Sequence, residues 1–250
     1  MKIISLASGS GGNAYLVEQG GATLLIDCGV CFKSLKALLP DGLCGILVTH
    51  SHTDHVSGLR TLLKHVDVPV FANSMTAEAT ACQEKIDESA FACFENGQAF
   101  DVGPFSVSPF SIPHDTSDPV GYLVRSEAGT YFHGTDIGTP LDSIGLKLAD
   151  ADVATLESNH DPVMLRTSGR PPCLIQRIAG PRGHLSNDQA CELVRRFASP
   201  RLRHLALAHL SRDCNAPHLA EGAMKATLVE MGRTDVDLKI LRQDEVIGIC

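Results

Sequence analysis

Four strong metal-binding side chains crowd into six residues of this sequence, His50-Ser51-His52-Thr53-Asp54-His55. In an extended loop, residues two apart point the same way, so His50 and His52 aim two imidazoles at one divalent ion. Asp54 and His55 enter the next turn and face a second ion beside the first. Two ions held so close acidify a shared water and neutralise phosphate oxygens, which is the equipment of metal-assisted hydrolysis. The competing account is a polar loop that gathers His and Asp without a ligand. Imidazoles at this density need partners, however, and Ser57-Gly58 lets a helix start close to them.

The loop follows Gly45-Ile46-Leu47-Val48, an apolar run that reads as a buried strand, and a helix is expected over Val56–His65. Upstream, Ile3–Ala7, Ala14–Glu18 and Ala22–Asp27 read as strands, and a helix over Cys31–Leu39 is stopped by Pro40-Asp41-Gly42. Downstream, short strands from Phe91–Phe94 to Thr130–Thr135 give way to alternating strands and helices. Two halves, each with strands first and helices after, predict an α/β fold of αβ/βα layering: a four-layer sandwich of two mixed sheets with helices outside. No linker, repeat or low-complexity segment divides the chain, so one domain over residues 1–250 is expected.

With 44% hydrophobic residues the chain can bury a large core, and no apolar run of membrane-spanning length or signal peptide is visible. The nine cysteines are scattered without a paired framework, which points to a reducing cytoplasm. Cys28-Gly29-Val30-Cys31 spells C-x-x-C, but no second such pair follows, and a small apolar turn accounts for it better than a redox or zinc role. The net charge of −8 argues against a generic nucleic-acid coat. It hides a stretch, residues 160–212, whose nine cations are all arginines. Arginine suits bidentate phosphate binding, although about half of these are expected on solvent faces of helices.

Three further ligand types stand where strands end: His114 after Phe105–Ile112, Asp136 after Tyr131–Thr135, and His209 after Leu205–Ala208. With these in place, His50-x-His52-x-Asp54-His55 resembles the ligand series of the metallo-β-lactamase fold superfamily. That resemblance implies that His50, His52 and His114 hold one metal, that Asp54, His55 and His209 hold the other, and that Asp136 bridges them. Asp27, closing Leu25-Ile26-Asp27, resembles the family's strand-ending aspartate and is expected to orient a ligand. Leu6–Asn13, His114-Asp115, Asp118–Tyr122, Leu156–Asp161, Gly183–Asn187 and Ala208–Ser211 together resemble the bacterial YycJ/WalJ group, over almost the whole chain. The group is regarded as cytoplasmic, with exonuclease activity on DNA from the 5′ end attributed to members. His133 and Ile137 depart from its usual pattern.

The resemblance implies a dinuclear metal-dependent hydrolase, a phosphodiesterase or 5′-exonuclease acting on single-stranded DNA through a metal-bridging hydroxide, with RNA possible as substrate. Catalytic roles fall to Asp54 and Asp136, while His184 and His160 are candidates to protonate the leaving oxygen or meet the phosphate. Gly183-His184 is similar to the glycine-histidine motif of RNase J-like nucleases. Ser8, Ser10 and Asn13, in a Gly-rich loop, are expected to contact substrate phosphate. Zinc, manganese or iron would each suit five histidines and two aspartates. Thioester or lactam hydrolysis is the nearest alternative, and a binding or regulatory module or a di-iron redox protein lies further off. Nothing in the sequence fixes the oligomeric state, and no membrane partner is expected.

Overall fold

A computed structural model describes all 250 residues. The first half lays down β1 (Lys2–Ala7), β2 (Ala14–Gln19) and β3 (Ala22–Ile26), then α1 (Phe32–Leu35), β4 (Leu43–Leu47), α2 (Thr53–Val56) and α3 (Leu59–Leu62). It closes with β5 (Val70–Asn73), α4 (Ser74–Glu84) and β6 (Phe91–Phe94). The second half runs β7 (Phe100–Val102), β8 (Phe105–Ser111), β9 (Val120–Ser126), β10 (Gly129–Gly134), α5 (Asp142–Ala149) and β11 (Val153–Glu157). It continues with α6 (Pro162–Thr167), α7 (Pro172–Ala179), α8 (Asn187–Phe197), β12 (His204–Ala208), α9 (Pro217–Glu230), β13 (Asp237–Ile240) and β14 (Ile247–Gly248).

The strands form two seven-stranded sheets, ordered β14-β1-β2-β3-β4-β5-β6 and β13-β12-β11-β10-β9-β8-β7. Each passes from antiparallel to parallel pairing at a single strand. In the first sheet that strand is β3, antiparallel to β2 and parallel to β4. In the second it is β10, antiparallel to β9 and parallel to β11. The αβ/βα layering read from the sequence is the observed one.

Alternation along the strands explains how both faces of each sheet are buried. Tyr15 and Val17 of β2 join Tyr122, Val124 and Ala206 in the core between the sheets, while Ala14 and Leu16 pack outward against Leu35, Leu59 and Leu62. On the other side Leu205 and Leu207 of β12 meet Ile144, Leu193, Val194 and Met224 of the outer helices. No helix is long and apolar enough to cross a membrane.

Two helices differ from expectation. Instead of one helix over Val56–His65 there are two single turns, α2 and α3, separated at Gly58. There the backbone N–H of Gly58 bonds the Cys28 carbonyl, and a Cβ would lie 2.0 Å from the Val30 carbonyl oxygen. The chain turns to hug the end of β3, at a contact invisible in local periodicity. The helix expected over Cys31–Leu39 is likewise cut to α1.

Candidate metal centre and adjoining cavity

The histidine-rich loop leaves β4 and is fastened to the end of β3. Cys28 N–H bonds the His55 carbonyl at 2.7 Å, and Asn13 N–H bonds the Asp54 carbonyl at 2.8 Å. Gly29 passes so near that a Cβ there would sit 1.6 Å from the Asp54 carbonyl oxygen, so no other residue fits. Asp27, buried at the end of β3, accepts from the Thr49 N–H at 2.8 Å and the Thr49 hydroxyl at 2.9 Å, and its Oδ2 lies 2.7 Å from His55 Nδ1. It orients His55, the role expected of it.

The loop meets residues from the ends of β8, β10, β11 and β12. The rings of His50, His52 and His114 lie mutually within 5.3 Å, centroid to centroid. Asp136 Oδ2 is 3.2 Å from His55 Nε2, and its Oδ1 is 3.6 Å from His114 Nε2 and 3.3 Å from His209 Nδ1. Asp54 Oδ2 stands 3.5 Å from His209 Nε2. Asp27, Asp136 and His209 all have left-handed backbones, with φ of 58°, 59° and 54°. Non-glycine residues at strand ends adopt this strained conformation only where surrounding structure imposes it.

Ligand atoms within 4.8 Å of one another group His50, His52 and His114 together, and Asp54, His55 and His209 together. Asp136 groups with His50 and His55, and again with Glu157, His184 and His209. The seven side chains read as ligands are thus gathered in one place.

These residues fit a divalent cation. His50 Nε2, His209 Nε2 and Asp136 Oδ2 are buried with no hydrogen-bond partner, an arrangement too costly to keep without a ligand. Burial, with His55 alongside, holds His50 well below the usual histidine range, which leaves the neutral imidazole that metals need. Burial also disfavours charge on His55 and His209, but facing carboxylates outweigh it: Asp27, Asp136 and Asp54 raise His55, and Asp136, Asp54 and Glu157 hold His209 up to about 10. So much negative charge selects for cations, and metal binding would displace those protons.

Glu157, the last residue of β11, was not singled out as functional in the sequence. It is fully buried; Oε1 lies 2.8 Å from His184 Nδ1 and 3.0 Å from His209 Nδ1, while Oε2 accepts the N–H groups of Ile137 and Leu185. Burial raises this carboxyl, yet the facing imidazoles hold it down at about 2. The signal was present: Glu157 ends an apolar strand, as do the strand-end ligands.

Above the cluster opens a shallow cavity lined by His52, Asp54, His114, Asp136, His184 and His209 among others. Beside it a second cavity shares Ser10, Asp115, Arg177, His184 and His209 and extends to Arg170, Leu174, Ile178 and Ser211. His184 therefore faces both, with Nδ1 tied to Glu157.

Several expectations about substrate contacts need correction. Ser8 is 2% exposed; its Oγ accepts from Tyr15 Oη and the His209 N–H. Asn13 is fully buried and ties Gly9 to the Asp54 carbonyl. Of the three, only Ser10 lines the two cavities at the metal-ligand cluster, and Ser8 lines another one beside Leu210 and Gln243. His160, expected as a possible acid, is 3% exposed and lines neither cavity; its carbonyl caps the start of α8 through Asn187 N–H. The arginine stretch is mostly neutralised: Arg195, Arg196, Arg201, Arg203 and Arg212 pair with carboxylates on the surface. Arg182 donates to the carbonyls of His114 and Thr116. Arg170 and Arg177 alone of the nine line the second cavity.

A sequence profile described as the beta-lactamase superfamily domain matches residues 22–209. The chain is 32% identical over 245 residues to the exodeoxyribonuclease WalJ of Streptococcus pneumoniae serotype 2, covering 94% of this chain and 91% of that one. It is 33% identical over 234 residues to the exodeoxyribonuclease YycJ of Bacillus anthracis, covering 91% and 89%. In fold it matches the Zn(2+)-bound PqqB of Methylobacterium extorquens with a TM-score of 0.76, at 16% identity over 99% of each chain.

Proposed function

The chain belongs to the beta-lactamase superfamily, and we propose that it is a dinuclear metal-dependent phosphodiesterase that removes nucleotides from the 5′ end of single-stranded DNA in the cytoplasm. The observation that carries this reading is the pair of ligand sets, His50/His52/His114 and Asp54/His55/His209, with Asp136 between them in a cavity that Arg177 also lines and that adjoins a second one lined by Arg170 and Arg177.

Divalent ions held by these residues would supply an acidified water and a Lewis acid for a phosphoryl oxygen. The chain's own groups do the rest. Asp27 and Glu157 fix the imidazoles of His55 and His209 in orientation. His184, pinned through Nδ1 by Glu157, presents Nε2 to the cavity, where it protonates the departing oxygen. Ser10, Arg170 and Arg177 meet phosphate along the strand.

The test is hydrolysis of 5′-labelled single-stranded DNA by metal-assayed protein, with matching RNA and bis(p-nitrophenyl) phosphate alongside, wild type against Asp136→Ala. Mononucleotides released from the 5′ end by wild type alone support the reading. Preference for the RNA would change the substrate, and no phosphodiester cleavage with two metals bound would remove it.

A further inference from the structure

α7 buries none of its residues, whereas the neighbouring α8, equally two-faced in sequence, buries Ala190, Cys191, Leu193 and Val194. Helices are normally held by such burial, so α7 spends its apolar side on something other than the core. Leu174 and Ile178, four residues apart and therefore on one face, line the cavity that joins the metal-ligand cluster. They are its only hydrophobic residues, and no phenylalanine or tyrosine shares it.

Around this apolar strip stand Arg170, Arg177, Ser10, Ser211, Asn159 and one carboxylate, Asp115, which Arg177 neutralises. Arg177 gives only Nε to Asp115, and Arg170 gives one terminal nitrogen to Asp213, so each guanidinium keeps further donors free. The cavity's volume of about 190 Å³ is below the roughly 300–1,000 Å³ of a site that encloses a whole small molecule, so it takes one ring, with the attached sugar and phosphate in the adjoining space of about 330 Å³ over the metal ligands. An apolar strip flanked by phosphate-binding donors, opening directly onto His184, matches an apolar ring attached to a phosphorylated sugar.

We propose that the cavity under α7 is the subsite for the terminal nucleotide of the substrate, its base lying on Leu174 and Ile178. This assignment rests on the phosphodiesterase reading and adds what sets the grip on the released unit. Contact with aliphatic side chains is blind to base identity, so the subsite senses the presence of a base and not its sequence.

The test compares a thymidylate oligonucleotide with one whose 5′-terminal nucleotide is abasic, using metal-loaded wild type, Leu174→Ser and Leu174→Met. Loss of the base is expected to raise KM about tenfold in wild type and in Leu174→Met, and to change little in Leu174→Ser. Calorimetric titration gives a readout independent of turnover: thymidine 5′-monophosphate should bind Leu174→Ser about tenfold more weakly than wild type, while deoxyribose 5-phosphate binds all three alike. Equal KM for both oligonucleotides in wild type, with cleavage intact, overturns the subsite and leaves the hydrolase standing. Thymidylate binding that depends on Leu174 without any cleavage sustains the subsite and removes the hydrolase.

Discussion

Asp27 and Asp136 occupy the same place in the two sheets. Each follows the strand at which antiparallel pairing turns parallel, and each has a left-handed backbone with φ near 58°. Their carboxylates live differently. Both oxygens of Asp27 are taken up by Thr49 and His55, whereas Asp136 Oδ2 has no hydrogen-bond partner and stands among imidazoles from several strands. The same backbone device thus delivers an orienting group in one half and an open ligand in the other. What differs is the neighbour: Asp27 has a threonine N–H and hydroxyl to bond besides one imidazole, whereas Asp136 faces imidazoles from several segments and no hydroxyl.

Substitutions should separate the two. Asp136→Ala is expected to abolish turnover, by a factor on the order of a thousand or more, with loss of bound metal by elemental analysis. His184→Ala, on the same side, should lower kcat about a hundredfold with metal content intact; metal loss in this variant would make His184 a ligand and extend the open half of the site. Asp27→Asn should weaken metal affinity by roughly 10–100-fold in a chelator competition and leave turnover at saturating metal closer to wild type. If it matched Asp136→Ala, the division of labour between the two aspartates would be wrong. Smallest is Arg177→Ala, on the exposed rim: KM should rise a few-fold, and the salt dependence of single-strand binding should flatten by about 0.7 in log–log slope, with Tm unchanged.

The contrast also marks what was legible in the sequence. His50 to His55 announced themselves because four ligands in one loop need no tertiary knowledge, and His114, Asp136 and His209 followed from one rule about strand ends. Glu157 obeys that rule as well, yet a glutamate ending a strand has no meaning until two histidines from distant segments converge on it. Ser8 and Asn13 misled for the opposite reason. A Gly-rich loop advertises free backbone donors, but its side chains had already been spent on holding the site together. The arginines formed a charge run only in one dimension; folding set most of them against carboxylates from elsewhere in the chain. Gly58 broke a helix through a backbone contact that no local pattern carries.

The strand-end construction has a consequence for the time before the protein is finished. His50 and His209 are separated by about 160 residues, which a ribosome adds in roughly 8–30 s. During that interval the nascent chain already displays the first four ligands, while the second sheet, Asp136 and His209 are still to come. Neither half of the site can therefore be completed from the first sheet alone, because the last of the seven ligands, His209, is added only after five-sixths of the chain has been made.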